Sequence, residues 1–202
     1  MIKRKILTVN KTIDTNNQYL HEVAITAIIV KDPSARASTE QIRPELTVEG
    51  LSRMSSGQAE YLITRRSPNK KRFPGMWTVP GGKMETSDYL KLPKDTQYYW
   101  YNVLERTLRR EVKEEVGIDI DNIEYVTSLA TVHPDGSPSL VISCLADYVG
   151  GDVELREEES DKYAWVNLEE AQKYNLIDGI YDELVMAEKK RKGEKSEWQR
   201  FN

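Results

Sequence analysis

Three glutamates offer the first chemistry in the chain. Glu111, Glu114 and Glu115 stand at i, i+3 and i+4 within REVKEEVG, a spacing that on a helix gathers three carboxylates on one face. Like charges four residues apart repel, at a cost of roughly a few tenths of a kcal/mol per pair. A bound cation would remove that cost. Ligands that are all oxygens favour a hard ion, and Mg²⁺ characteristically combines a few carboxylates with waters and the phosphate oxygens of a substrate. The chemistry expected is therefore on a phosphate compound. Acidic residues are also common on solvated helix faces, so this triplet alone does not decide the matter.

The element that must carry these acids is legible. Leu104, Leu108, Val112 and Val116 recur every four residues, and Gly117 stands where glycine often ends a helix, so the spacing predicts a helix from about Trp100 to Val116. Its apolar stripe lies about a quarter turn from the acids, so one side can pack while its neighbour presents charge. Short β-branched or apolar runs predict strands at EVAITAIIV (Glu22 to Val30), AEYLITR (Ala59 to Arg65), MWTV before Pro80, Gly81 and Gly82, and YAWVNL. The runs IEYVTSLATV and SLVISCLADYV flank Asp135-Gly136, a turn signal that predicts an antiparallel hairpin. Leu168 to about Lys190 reads as one or two helices with a stripe including Leu176, Ile180, Leu184 and Val185. Strands mixed with helices, without regular βα alternation, indicate an α/β protein with a mixed sheet and helices on both faces. The polar stretch 31–58 reads as a long excursion.

Set in order, these residues resemble the Nudix box, G-x5-E-x7-R-E-U-x-E-E-x-G-U, with U a bulky aliphatic residue. Gly82, Arg110, Glu111, Val112, Glu114, Glu115, Gly117 and Ile118 all match. WTVPGGKME (Trp77 to Glu85) looks like the strand and turn that open the box in MutT-like members. EESDKYAWVNLEEA (Glu158 to Ala171) is similar to the segment that carries a further loop acid, a strand tryptophan and a helix. The resemblance covers roughly residues 22–190 and implies an α/β/α sandwich with a mixed β-sheet between helices. The box is interrupted. Past the five residues that follow Gly82 stands Asp88, and eight before Arg110 stands Asn102, neither of them the expected glutamate, and residues 89–109 number 21 where the motif has seven. About 14 residues, near 89–102, are thus inserted, with Pro93 and the aromatics Tyr98, Tyr99, Trp100 and Tyr101 among them. In the family the missing glutamate chiefly pairs with the box arginine, so Arg110 needs another partner.

The resemblance implies Mg²⁺, with Mn²⁺ as an alternative, held by Glu111, Glu114, Glu115 and the carbonyl of Gly81. It implies water-mediated cleavage of a phosphoanhydride, with Glu111 and the loop acid Glu159 as rival general bases and Glu157 and Glu158 close to the latter. Lys83, Arg65 and Arg66 are candidates for phosphate contact. The aromatic insertion offers faces for a base, or packs its loop against the domain. The substrate expected is a nucleoside triphosphate, with ADP-ribose or another nucleotide sugar as the alternative. A non-catalytic nucleotide sensor is the rival from another class, disfavoured by the intact acids.

Composition narrows the partners. The 202 residues are 39% hydrophobic and 31% charged, enough for one well-cored domain. A net charge of -4 argues against a general grip on long nucleic acid, whose binding rests on neutralising many phosphates. The lone Cys144 excludes an internal disulfide and a cysteine-built zinc site, and favours a reducing compartment. MIKRKILTVNKT has too short an apolar run for a secretory segment, and no run reaches membrane-spanning length, so the expected location is cytoplasmic. A homodimer is compatible with the sequence. His21 and His133 lack companions at metal-ligand spacing and read as structural.

Overall fold

The computed structural model describes residues 20–31 and 58–198. Most of the 31–58 excursion lies outside the described residues. In chain order the elements are β1 (Glu22–Lys31), β2 (Glu60–Arg66), β3 (Trp77–Thr78), β4 (Gly81–Lys83), α1 (Ser87–Leu90), α2 (Val103–Val116), β5 (Asp119–Val132), β6 (Pro138–Gly150), β7 (Ser160–Val166), α3 (Leu168–Ala171) and α4 (Ile180–Arg191).

The seven strands form one sheet in which β1 is central. It runs parallel to β6 along nearly its whole length and antiparallel to β2 and β4, so the sheet is mixed. A strand covered on both faces reads as a continuous apolar run, and EVAITAIIV does so for that reason. Its side chains alternate between two cores. Ile25, Ala27 and Ile29 join Leu108, Val112 and Val116 of α2 on one face, while Ile28 and Val30 join Ile180, Leu184 and Ala187 of α4 on the other. Helices therefore cover both faces, as the sequence led us to expect. Among the described residues, no helix is long and apolar enough to cross a membrane.

Two features of this sheet position the acids. First, β2 pairs only with the end of β1, at Val30↔Tyr61 and Lys31↔Glu60; nearer the start of β1, β4 takes its place at Ala24↔Lys83, Ile25↔Gly82 and Thr26↔Gly81. The glycine turn is thus laid beside the middle of the central strand. Second, α2 is anchored by Leu108, Val112 and Val116, all fully buried. Burial of each such side chain contributes about 1.5–3 kcal/mol, which outweighs the tenths lost to repulsion on the acidic face.

The helix starts later than its apolar period suggested. Asn102 adopts a left-handed conformation, φ 54°, and α2 begins at Val103, so Trp100 and Tyr101 belong to the insertion. Gly117 closes the helix as expected, at φ 74° with its N–H donating to the Lys113 carbonyl. The β5–β6 hairpin forms around the Asp135-Gly136 turn, where the Asp135 carboxylate accepts from the Ser137 N–H at 3.0 Å. The region from Leu168 resolves into two helices, and Leu176 lies between them, bridged to Trp77 rather than on a helical stripe.

Candidate active site

The glycine turn and the acidic helix face touch with no space to spare. A side chain at Gly81 would bring its Cβ to 2.3 Å from the Ile25 carbonyl oxygen, and the residue sits at φ +150°. One at Gly82 would lie 2.3 Å from the Glu111 carboxyl carbon. Gly81 requires glycine because backbone lies against it, whereas a side chain at Gly82 would displace the Glu111 carboxylate. The Gly81 N–H donates to Glu115 Oε2 at 2.9 Å. Glu111 and Glu115 are thus held against the turn.

Their environment resists charge. Burial pushes the Glu115 carboxyl up to about 7 despite the Gly81 N–H; the nearby Glu159 and Glu111 carboxylates raise it further, while Arg66 draws it down. Burial also raises Glu111, with Arg110 opposing. Desolvation and repulsion by like charges both disfavour an anion, and both act here. Glu114, on the same face, is more exposed and meets Arg110 at 3.3 Å.

Arg110 organises this face. Its Nη1 lies 2.9 Å from Glu111 Oε1 and 3.3 Å from Glu114 Oε2, and its Nη2 donates to the Lys83 carbonyl at 3.2 Å. Its main partner is Asp88, whose Oδ1 accepts from Nε at 2.5 Å and whose Oδ2 accepts from Nη2 at 3.2 Å. The Asp88 side chain is 2% exposed and also accepts from Thr107 Oγ1 and the Glu85 N–H, each at 2.8 Å. Burial alone would raise that carboxyl; the bonds from Arg110, the Glu85 N–H and Thr107 hold it at about 2. Arg110 therefore has its partner, and the residue that the box count reached past the five that follow Gly82 supplies it. The chain is inserted after Asp88, which leaves that count undisturbed.

The remaining candidates divide. Arg66 acts on Glu115 and donates through Nε to the Arg72 carbonyl at 2.9 Å. Its neighbour Arg65 is instead paired with Asp161, at 2.7 and 2.5 Å. The pairing of β2 with β7 shifts register between these two residues, and the two arginines take different partners. Lys83 reaches Glu22 at 2.7 Å, and Glu22 also meets Arg72 at 3.3 Å. Glu159, just before β7, is ion-paired with Lys70, and its carbonyl accepts from the Ser67 N–H at 2.9 Å. The loop after β2 thus supplies Lys70 and Arg72, which sequence reasoning missed; nothing in SPNKKRFPG distinguishes these cations from solvated ones. Among the described residues, no three potential ligands form a preassembled metal cluster.

The profile of the NUDIX domain matches residues 50–185. The NAD-capped RNA hydrolase NudC of Mannheimia succiniciproducens is 32% identical over 106 residues, 52% of this chain and 33% of that one. The chain thus spans about a third of the length of that relative. Nucleoside triphosphatase NudI of Klebsiella pneumoniae is 27% identical over 135 residues, 59% of this chain and 81% of that one. In fold, the NUDIX domain of Shewanella oneidensis NrtR, solved in complex with ADP ribose, superposes with a TM-score of 0.56 at 16% identity, covering 89% of this chain and 92% of that one.

Proposed function

The chain belongs to the Nudix family, and from that premise we propose that it hydrolyses a phosphoanhydride bond in a nucleoside diphosphate derivative, with Mg²⁺ as cofactor. The observation that carries this reading is the pair Glu111 and Glu115, both desolvated, held against a glycine turn with no room for a side chain. Two carboxyls that repel each other in a partly buried site are stabilised by a divalent cation, and their oxygens suit a hard one. The donor set therefore fits Mg²⁺ or Mn²⁺. Glu111, Glu115 and the Gly81 carbonyl would hold it, with Glu114 as a further ligand. When bound, the metal supplies neutralisation of phosphate charge and a water of lowered pKa.

The residues divide the remaining work. Arg110, fixed by Asp88, sets the orientation of Glu111 and Glu114. Arg66, beside Glu115, and Lys83, directly after the turn, contact the phosphates. Glu159 accepts the proton of the attacking water, with Glu111 as its rival. Lys70 holds Glu159 in place until then.

The substrate we assign is a nucleoside triphosphate, cleaved to the monophosphate and pyrophosphate. The likeness to NudI, a protein named for nucleoside triphosphate hydrolysis, over 81% of that chain supports this choice. A second reading, cleavage of a diphosphate flanked on both sides as in ADP-ribose, is favoured by the likeness to a protein named for hydrolysis of an NAD cap. A panel of nucleotides assayed with Mg²⁺ separates the two by products: pyrophosphate for the first, a nucleoside monophosphate plus a sugar phosphate for the second. Equal turnover by wild type and Glu115→Gln across the panel would remove both.

A further inference from the structure

The insertion that interrupts the box is an ordered piece of structure with its own scaffold. Asp95 Oδ2 accepts from the Tyr101 N–H at 2.9 Å and from Arg106 Nη2 at 3.4 Å, and Thr96 Oγ1 accepts from the Tyr99 N–H at 3.1 Å. Trp100 does the packing. Its ring lies 5.3 Å from that of Tyr89, its Nε1 donates to the Leu92 carbonyl at 3.0 Å, and Lys94 stands over its face at 5.0 Å. While Trp100 packs within the loop, Tyr98, Tyr99 and Tyr101 are left out of the core. Tyr98 and Tyr99 are each 63% exposed and Tyr101 is 57% exposed. Tyr98 and Tyr99 meet edge to face, centroids 6.2 Å apart. Such a pair leaves a ring face open to a planar ligand.

The attachment of this loop is what gives it a partner. Its two feet are ion pairs, Asp88–Arg110 and Asp95–Arg106, on successive turns of α2. Arg110 in turn holds Glu111 and Glu114. The loop that carries the exposed rings and the acidic face thus share one anchoring helix, whose rise over the five residues from Arg106 to Glu111 is only about 7.5 Å. Lys91 and Lys94 are exposed in the same loop of an otherwise acidic chain, which suits a ligand that carries both a ring and phosphates. Sequence-tolerant recognition of bases elsewhere uses this combination of aromatic faces and cations.

We propose that residues 91–102 form a stacking platform for the base of the nucleotide whose phosphates enter the acidic site, with Tyr98 and Tyr99 supplying the rings. This rests on the nucleotide-hydrolase reading and deepens it: the interrupted box places base recognition on the very segment that interrupts it. Because stacking tolerates any base, the platform confers preference for a nucleotide over a base-less phosphate ester rather than for one base.

The test compares wild type with a Tyr98→Leu, Tyr99→Leu double variant. Leucine keeps apolar area and removes the ring face, and both positions are exposed, so the fold is retained, as thermal unfolding checks. Hydrolysis of adenosine and guanosine triphosphates is measured beside that of ribose 5-triphosphate, which lacks a base, all with Mg²⁺. The expected result is a rise in KM for both nucleotides and a fall of about five- to a hundredfold in the selectivity for nucleotide over base-less compound. Unchanged selectivity overturns the platform. So does a variant of lower molecular mass in solution, which would make the rings a contact between copies of the chain. Absence of hydrolysis by wild type on every compound would instead sink the underlying hydrolase reading; adenosine triphosphate binding by calorimetry then still reports whether the tyrosines hold a base.

Discussion

Asp88 Oδ1 and Arg110 Nε lie 2.5 Å apart, although 21 residues separate the two in the chain. The insertion leaves directly after Asp88 and rejoins at the start of α2, and this pair clamps the helix to the segment after the glycine turn across it. A long loop is cheap when its ends are fixed, because closure entropy grows only logarithmically with length. That is why so large an interruption is compatible with an intact acidic face.

Removing the clamp tests its importance. Asp88→Asn should lower stability by about 2 kcal/mol, since it breaks a pair with one partner buried, and should lower kcat by freeing Arg110 from its orientation. The Asp88 carboxyl is held at about 2, below its ordinary 3.8, so its contribution is fully present above pH 4 and is lost as pH falls toward 2. Denaturant unfolding of the two proteins should therefore differ by a constant amount from pH 5 to 8 and converge in acid. A difference unchanged down to pH 2 would count against the ion pair.

Glu115→Gln removes a charge from the desolvated side of the turn. Turnover should fall by at least about a hundredfold, the scale of losing an electrostatic group at a reacting centre. Mg²⁺ should raise the thermal midpoint of wild type and leave that of the variant nearly unmoved, because a ligand stabilises only the state that binds it. Equal midpoints with and without Mg²⁺ in wild type would argue against a metal at this position.

Gly82→Ala is a steric probe. Its Cβ would fall 2.3 Å from the Glu111 carboxyl carbon, so the carboxylate or the turn must shift. A misplacement of about 1 Å costs on the order of a hundredfold in rate. Circular dichroism should remain that of the folded protein while kcat drops, which separates a displaced carboxylate from a lost fold.

Arg65 and Arg66 are neighbours with different partners, and paired substitutions distinguish them. Arg66→Ala removes the cation beside Glu115 and should raise KM for a triphosphate. Arg65→Ala breaks only a partly exposed pair with Asp161 and should leave KM within about a factor of two, as for other surface pairs. The reverse ranking would move the phosphate contact from Arg66 to Arg65.

Much of this protein was legible in order along the chain. Helix α2, its acidic face, the glycine turn, the hairpin and the central strand all follow from local periodicity and turn chemistry, because 3.6-residue and two-residue repeats already state which face is buried. Glu111, Glu114, Glu115, Gly81 and Gly82 lie on such elements. The start of α2 at Val103 was not legible, since helical period continues through Trp100 and only the left-handed Asn102 interrupts it.

What only the tertiary structure decided is pairing across long separations. Sequence left Arg110 without a partner, because neither count landed on a glutamate; the fold supplied a buried aspartate one methylene shorter, with Thr107 and the Glu85 N–H completing its bonds. It likewise separated Arg65 from Arg66, drew Lys70 to Glu159, and left Tyr98 and Tyr99 in solvent while Trp100 packed. The reason is physical: periodicity fixes the direction in which a side chain leaves its own backbone, whereas its partner is fixed by where other elements come to rest in three dimensions.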